Sequence, residues 1–274
     1  IYSQGIINTA LYWKQIMEKP SMDIEGNQDV SHAALKVALG GGFSLLAGLA
    51  CQILTAYLFG ASSEMDAFFT ALTIPLYMQI VLLGGLPFVV IPAFIQEENN
   101  GRKDDAWSLT GTMLWITSTA LFIIAVLGSV FSTKLIMLSA PGFGAEKTLV
   151  SSQMLSIMMF TVPLLGIGSF TSGVENARGS FFIPAIATAI GSAGNFFAIY
   201  LLHPLLGAEA LAWGNLISAL LYAGMTTIPV IRHGWKQVFS LNDPRIRELL
   251  RLLLPFIIFG MIIHSRLILE RFFA

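Results

Sequence analysis

Residues 37–63 read VALGGGFSLLAGLACQILTAYLFGASS, with Lys36 before them and Glu64 after. No charge interrupts this run, and it exceeds the ~20 residues with which a helix crosses the hydrocarbon of a bilayer. The rest of the chain repeats the pattern. Of its 274 residues 55% are hydrophobic and 11% charged, against roughly 25% charged in an average soluble domain, and the mean hydropathy is +0.74. The charges fall in short clusters separated by uncharged stretches long enough to span, so the fold class read from the sequence is all-α, a polytopic membrane protein.

Outward from this first span, Ala67–Gln96 is also uncharged but holds Pro75, Gly84, Gly85, Pro87 and Pro92. Such residues are tolerated at membrane depth only where neighbouring helices or a wet cavity satisfy the freed carbonyls, so a bent second span inside a bundle is expected. Gln96–Asp105 (QEENNGRKDD) is read as a solvated loop. Ala106–Thr133, Thr148–Val174, Phe181–Leu202 and Ala210–Ile231 supply spans three to six. A turn from Lys134 to Lys147, a loop with Glu175 and Arg178, and a loop with His203, Pro204 and Glu209 separate them. Residues 232–251 are basic and read as a cytoplasmic amphipathic loop, in which Asp243 caps a turn whose first helical position is Pro244. Leu252–Ala274 is a seventh span, distinguished by His264, Arg266, Glu270 and Arg271.

The domain division that follows is 1–31 as a cytoplasmic extension, 32–231 as a first lobe of six spans, 232–251 as the basic loop, and 252–274 as the seventh span, read as truncated. Ile6–Met17 suits a short interfacial helix. The chain begins at Ile1 without Met and its last apolar run reaches Ala274, so both ends read as cut.

Orientation follows from where the 15 Lys and Arg lie. Lys14, Lys19, Lys36, Arg102, Lys103, Arg178, Arg232, Lys236, Arg245, Arg247 and Arg251 fall on the amino-terminal side. Only Lys134 and Lys147 fall in the opposite loops, and Arg266 and Arg271 lie inside the seventh span. The positive-inside bias therefore puts the amino terminus in the cytoplasm. The single cysteine, Cys51, excludes a disulfide framework or thiolate metal site. No metal-ligand cluster, phosphate-binding glycine loop or nucleophile–base arrangement is legible, so neither an enzyme nor a cofactor is expected, and no nucleic-acid partner. His203 reads as an interfacial residue. Glycines such as Gly40, Gly48, Gly166, Gly168, Gly191 and Gly194 read as close helix contacts.

Four stretches are more specific. They are Phe59-Gly60-Ala61-Ser62-Ser63-Glu64-Met65-Asp66-Ala67-Phe68-Phe69, continued to Pro75; Ala140-Pro141-Gly142-Phe143; Asn176-Ala177-Arg178-Gly179-Ser180-Phe181-Phe182-Ile183-Pro184; and Leu211-Ala212-Trp213-Gly214. In this order, and from about Gly42 to Ala274, the chain resembles the MurJ/MviN lipid flippases of bacterial cell-wall synthesis. The resemblance implies fourteen helices in two lobes, related to the MATE-type exporters. This chain would be the first lobe plus helix seven, and the missing carboxy-terminal lobe its partner. It also implies a multi-pass protein of the bacterial inner membrane that moves a polyprenyl-diphosphate-linked saccharide to the outer leaflet by alternating access. The physical problem is large, because taking a diphosphate through hydrocarbon costs tens of kcal/mol by Born reasoning, and a hydrated cationic cleft removes that cost.

Aligned on the same motifs, the family's cleft arginines in the first span fall on Leu45 and Cys51, with an acidic neighbour on Gln52. Its paired arginines in the second span fall near Gln79 and Ile80, and the glutamate of its gate falls on Gly84, beside Gly85. The cations are missing, so Cys51, Gln52 and Gln79 stand as candidate cleft residues, with Arg266 and Arg271 supplying the anion-attracting charge. Asp66, Gly84 and Gly85 are the candidate gate. The spacing Ser63-x-x-Asp66 is that of a capping box at the start of the second span, and Glu270 stands four residues after Arg266, close enough to neutralise it. Two further readings stay open: a MATE-type exporter of amphipathic small molecules, and a non-transporting scaffold that recruits cell-envelope enzymes through Arg232–Arg251.

Overall fold

The computed structural model describes the backbone of residues 24–233, 235 and 244–273, and the side chains of these except 24–34, 36, 90 and 265–273. Among the described residues the chain forms ten helices: α1 (Ile24–Phe59), α2 (Ser63–Leu83), α3 (Leu86–Asn99), α4 (Lys103–Val130), α5 (Ser132–Ser139), α6 (Ala145–Met158), α7 (Thr161–Ala177), α8 (Phe182–Leu206), α9 (Glu209–Arg232) and α10 (Pro244–Phe273). Among these described residues six runs are long and apolar enough to cross a membrane: Val37–Phe59, Ser63–Asn99, Lys103–Val130, Ala145–Ala177, Phe182–Leu206 and Glu209–Arg232. The chain is a multi-pass membrane protein. Its expected seventh span is the distal part of α10, and the expected Ile6–Met17 helix and the Asp243 cap lie outside the described residues. Helix α1 reaches back to Ile24, into the stretch read as extension, and α10 already occupies 244–251 of the stretch read as loop.

Two spans are broken. The second, expected as one bent helix, is two: α2 ends at Gly84 and α3 starts at Leu86. Pro87, the second residue of α3, has no N–H with which to continue the helix. The fourth span breaks between α6 and α7, which its apolar pattern did not announce. Pro163 lies at the third position of α7, where its ring excludes the carbonyl of Met159. The chain compensates with tight three-residue bonds, Phe160 N to Ile157 O at 3.2 Å and Val162 N to Met159 O at 3.2 Å. The breaks are neighbours. Gln79 Nε2 donates to Thr161 Oγ1 at 3.1 Å, and a Cβ on Gly166 would stand 3.3 Å from Leu83.

Other expectations shift at element ends. The turn expected from Lys134 to Lys147 is occupied by most of helix α5 and the start of α6. His203 and Pro204 belong to the last turn of α8 instead of a loop, and His203 stands edge-on to Phe59 at 5.0 Å. The Asn176-Ala177-Arg178-Gly179 signature is a helix stop. Gly179 takes φ 79°, Gly179 N donates to Asn176 O at 3.0 Å, and Ser180 N donates to Glu175 O at 2.9 Å, the paired bonds of a Schellman motif. The α3–α4 turn repeats it through Gly101, with φ 75° and Arg102 N to Glu97 O at 3.1 Å.

The apolar interior forms two clusters. One joins α3, α4, α7, α9 and the start of α10 around Phe94, Met113, Phe170, Ile246 and Leu253. The other joins α1, α2, α6, α8 and α9 around Phe68, Met154, Met158, Ile199 and Leu211. Without a hydrophobic force between helices in lipid, small residues set their approach. At Gly168 of α7 a Cβ would meet the Tyr222 ring at 2.5 Å and Ala223 Cα at 3.3 Å, whereas at Gly224 nothing lies within 4 Å. Gly168→Leu is therefore expected to lower stability by about 1–3 kcal/mol and Gly224→Ala to leave it unchanged. Thermal unfolding in detergent checks this, and equal melting temperatures for the two variants would count against the packing.

Candidate functional site

A cavity of about 560 Å³ lies between α1, α8 and α9, closed on one side by the start of α2. Helix α1 lines it with Gly48, Cys51, Gln52, Thr55 and Ala56, α8 with Ser192, Asn195 and Ile199, and α9 with Leu211, Asn215 and Ser218. Phe68 and Phe69 of α2 form its aromatic wall, with ring centroids 5.6 Å apart. No Lys, Arg, Asp or Glu is among its lining residues. Its polarity comes from amides and hydroxyls, groups that donate and accept hydrogen bonds without the desolvation cost of a charge. Asn215 Nδ2 donates within its own helix to Leu211 O at 2.8 Å.

Close helix approach makes the cavity's frame. A Cβ on Gly40 of α1 would stand 2.9 Å from Ala185 Cβ of α8, and a Cβ on Gly214 would stand 2.4 Å from Asn195 Oδ1. Gly214 is the last residue of the Leu211-Ala212-Trp213-Gly214 signature, so that motif is where α9 presses against α8 beside the cavity. Gly48 has open space around it, and there the wall recedes.

The sequence candidates separate. Cys51, 8% exposed, and Gln52 both line the cavity, whereas Leu45 is 78% exposed and faces away from the bundle's interior. Gln79 is not at the cavity: it bonds to Thr161 at the break between α6 and α7. Gly84 and Gly85 sit at the α2–α3 break, about 27 Å along the helix from Asp66 at ~1.5 Å per residue, so the candidate gate residues do not form one constriction. Gly85 instead admits α10, since a Cβ there would meet Phe256 Cβ at 2.6 Å. The backbone of α10 carries positions 266 and 271; their side chains lie outside the described residues.

The capping expectation at Asp66 is corrected. The N-cap is Ser62, whose Oγ accepts from Met65 N at 3.2 Å, one residue earlier than Ser63. Asp66 is thereby released from capping, and its Oδ2 accepts from Lys147 Nζ at 2.7 Å. That lysine also lies 4.1 Å over the ring of Phe143, the end of the Ala140-Pro141-Gly142-Phe143 signature. Two of the four motifs thus meet in one contact between α2 and α6. The amides Asn195 and Asn215 were not singled out from sequence, although one Asn in each of two otherwise uncharged spans is a legible signal of a polar interior.

Comparison with known proteins supplies the family. Residues 55–274 match the family model described as MurJ, lipid II flippase. The chain is 28% identical over 192 residues to the probable lipid II flippase MurJ of Aquifex aeolicus, covering 69% of this chain and 38% of that relative. It is 27% identical over 230 residues to the lipid II flippase MurJ of Burkholderia cenocepacia, covering 78% and 44%. Among solved structures it is similar to lipid II flippase MurJ in an inward closed conformation, with TM-score 0.70 and 19% identity over 87% of this chain and 51% of that one. It is also similar to an outward-facing MATE multidrug transporter of the MOP superfamily, with TM-score 0.67 and 17% identity over 84% and 52%. The chain spans about half the length of these solved structures and less than half of these curated relatives. With the family model matching through most of the six spans and α10, the chain belongs to the MurJ lipid II flippase family.

Proposed function

We propose that the complete protein carries a polyprenyl-diphosphate-linked saccharide from the inner to the outer leaflet of the bacterial inner membrane, that this chain is its first lobe with helix seven, and that its amino terminus is cytoplasmic. The observation that carries this reading is the family match over residues 55–274. The 560 Å³ cavity adds detail: an uncharged wall of amides, hydroxyls and two phenylalanines suits an uncharged sugar portion rather than a diphosphate. The diphosphate falls to Arg266 and Arg271, and the second lobe completes the cleft. The protein transports and performs no covalent chemistry.

A complementation assay tests this. The complete coding sequence is expected to restore growth to a strain depleted of its lipid II flippase. Normal membrane expression without rescue would overturn the reading. A second reading, a MATE-type exporter of amphipathic small molecules, is favoured by the same uncharged cavity, and it gains if rescue fails while drug export is observed. A silent scaffold acting through Arg232–Arg251 would give neither. The first lobe alone lacks half of the cleft wall, so liposomes holding only these residues are expected to move no lipid-linked sugar.

In the complete protein Asp66 and Lys147 would close one end of the cavity's lobe. Asp66 is 61% exposed at its side chain, and exposed pairs contribute roughly 0–1 kcal/mol. Asp66→Asn is therefore expected to leave the melting temperature almost unchanged while altering the transport rate. Unchanged transport would remove Asp66 from the gate.

A further inference from the structure

The loop at Gln96–Asp105, read from sequence as merely solvated, hides a buried acid. Glu97, at the end of α3, is 6% exposed. Its Oε2 lies 3.1 Å from Arg102 Nε, and its Oε1 lies 3.1 Å from Arg245 Nη1 in the first turn of α10. Arg245 Nη1 also lies 3.9 Å from Asp105 Oδ2 in α4. The Schellman turn at Gly101 produces this arrangement, because it folds Arg102 back over the last turn of α3 and leaves Glu97 facing inward. The turn at Gly179 does the same with Glu175, 1% exposed, but Glu175 is paired within its own turn, to Arg178 at 3.4 Å. Glu97 differs in reaching a residue distant in sequence, on another helix.

That helix is thinly attached. Between Pro244 and His264 the buried residues are Ile246, Leu253 and Gly260, spaced by seven, which is the narrow seam of a rod packed along one line. Beyond this seam α10 is joined by the Phe88–Phe256 stack, centroids 5.8 Å apart, and by Tyr77 Oη donating to Met261 O at 3.3 Å. Behind the Glu97–Arg245 pair a second cavity, of about 330 Å³, separates α10 from α3 and α4, with Val89, Ala93 and Leu109 on one wall and Leu249 and Leu252 on the other. The first turns of α10 thus reach the lobe through Ile246, Leu249 and Leu253 on one side of this cavity and through the buried carboxylate at its polar edge on the other.

We infer that Glu97 is a positioning residue acting through Arg245: the pair is a catch that holds the amino-terminal turns of α10 against α3 and α4, and releasing it opens the cavity behind. A carboxylate at 8% side-chain exposure is costly to leave short of cations; Arg102 stays with Glu97 from its own turn, so Arg245 is the partner whose release frees α10. The closed state itself does not depend on the transport reading, because side-chain accessibility reports it in protein that moves nothing.

The test uses the complete protein in membrane vesicles, with native cysteines replaced and Ala93→Cys or, as a control, Ser218→Cys introduced singly. The rate of reaction with a small cationic thiosulfonate is measured in the parent, Glu97→Gln, Arg245→Gln and Arg245→Lys backgrounds. Reaction at position 93 is expected to rise at least tenfold in Glu97→Gln and Arg245→Gln, to stay near the parent rate in Arg245→Lys, and to be unchanged at position 218 in all of them. Equal rates at 93 across the folded variants overturn the catch. So does Arg245→Lys behaving like Arg245→Gln, or a rise at 218 matching that at 93, which would mark general loosening. If Glu97→Gln fails to fold, the two Arg245 variants decide alone.

Discussion

Attaching a bulky maleimide to Cys51 in the complete protein is expected to lower the transport rate at least ~tenfold, equivalent to about 1.4 kcal/mol on the barrier. Cys51 lines the 560 Å³ cavity beside Gln52, Thr55 and Asn195, and an adduct of that size fills space that a substrate's head would need. Cys51→Ala removes only a small, largely buried side chain and is expected to transport normally and to resist the reagent. The contrast between the two proteins separates obstruction from damage. A fully labelled protein that transports at the parent rate would show that the cavity is no part of the route.

Neutralising Arg266 and Arg271 together has the larger expected effect, a loss of transport of roughly a hundredfold or more, about 2.7 kcal/mol at ~1.36 kcal/mol per decade. The physical reason is the uncharged cavity. A diphosphate entering the membrane needs cations, and the first-lobe positions where the resemblance places them hold Leu45, Cys51, Gln79 and Ile80. An ionisable group inside a span is a functional candidate because of what it costs to place it there. The double exchange, Arg266→Gln with Arg271→Gln, is expected to leave membrane insertion intact, and the matching lysine replacements are expected to keep partial transport. Parent-level transport in the glutamine double variant would return the anion-binding task to the second lobe.

What was legible in the sequence follows from which physics was local. Each of the first six spans could be found because charge is excluded from hydrocarbon over a fixed length, a rule that needs no partner. The broken second span was half legible: Gly84, Gly85 and Pro87 announce a bend, but whether the chain bends or stops depends on Phe256 of α10 occupying the space beside Gly85. The break before Pro163 was missed because a single proline near the middle of an apolar run is equally compatible with a continuous kinked helix. The cap falls on Ser62, one residue before the expected Ser63, because the stretch offers two adjacent serines and the spacing to Asp66 does not count once Asp66 pairs with Lys147.

The site was less legible than the fold. Cys51 and Gln52 were reached through the resemblance and do line the cavity, while Gln79 was reached the same way and does not. Helical position alone cannot tell a side chain that faces a cavity from one that faces a neighbouring break. Asn195 and Asn215 complete the cavity from helices whose small residues read only as packing. Glu97 was hidden for a different reason: a run of charges between two spans is ordinarily solvated, and here the Gly101 turn faces Glu97 inward toward Arg245 of α10, which arrives from the other end of the sequence.

Reconstitution decides whether the complete protein moves a lipid-linked sugar between leaflets. The purified complete protein is placed in liposomes bearing a fluorescent polyprenyl-diphosphate-linked saccharide, and a membrane-impermeant reagent reports how much sugar stands in each leaflet with time. Exchange between leaflets that the Cys51 adduct blocks is expected. Protein that is folded and inserted, yet leaves the sugar in its original leaflet under every gradient applied, would contradict it.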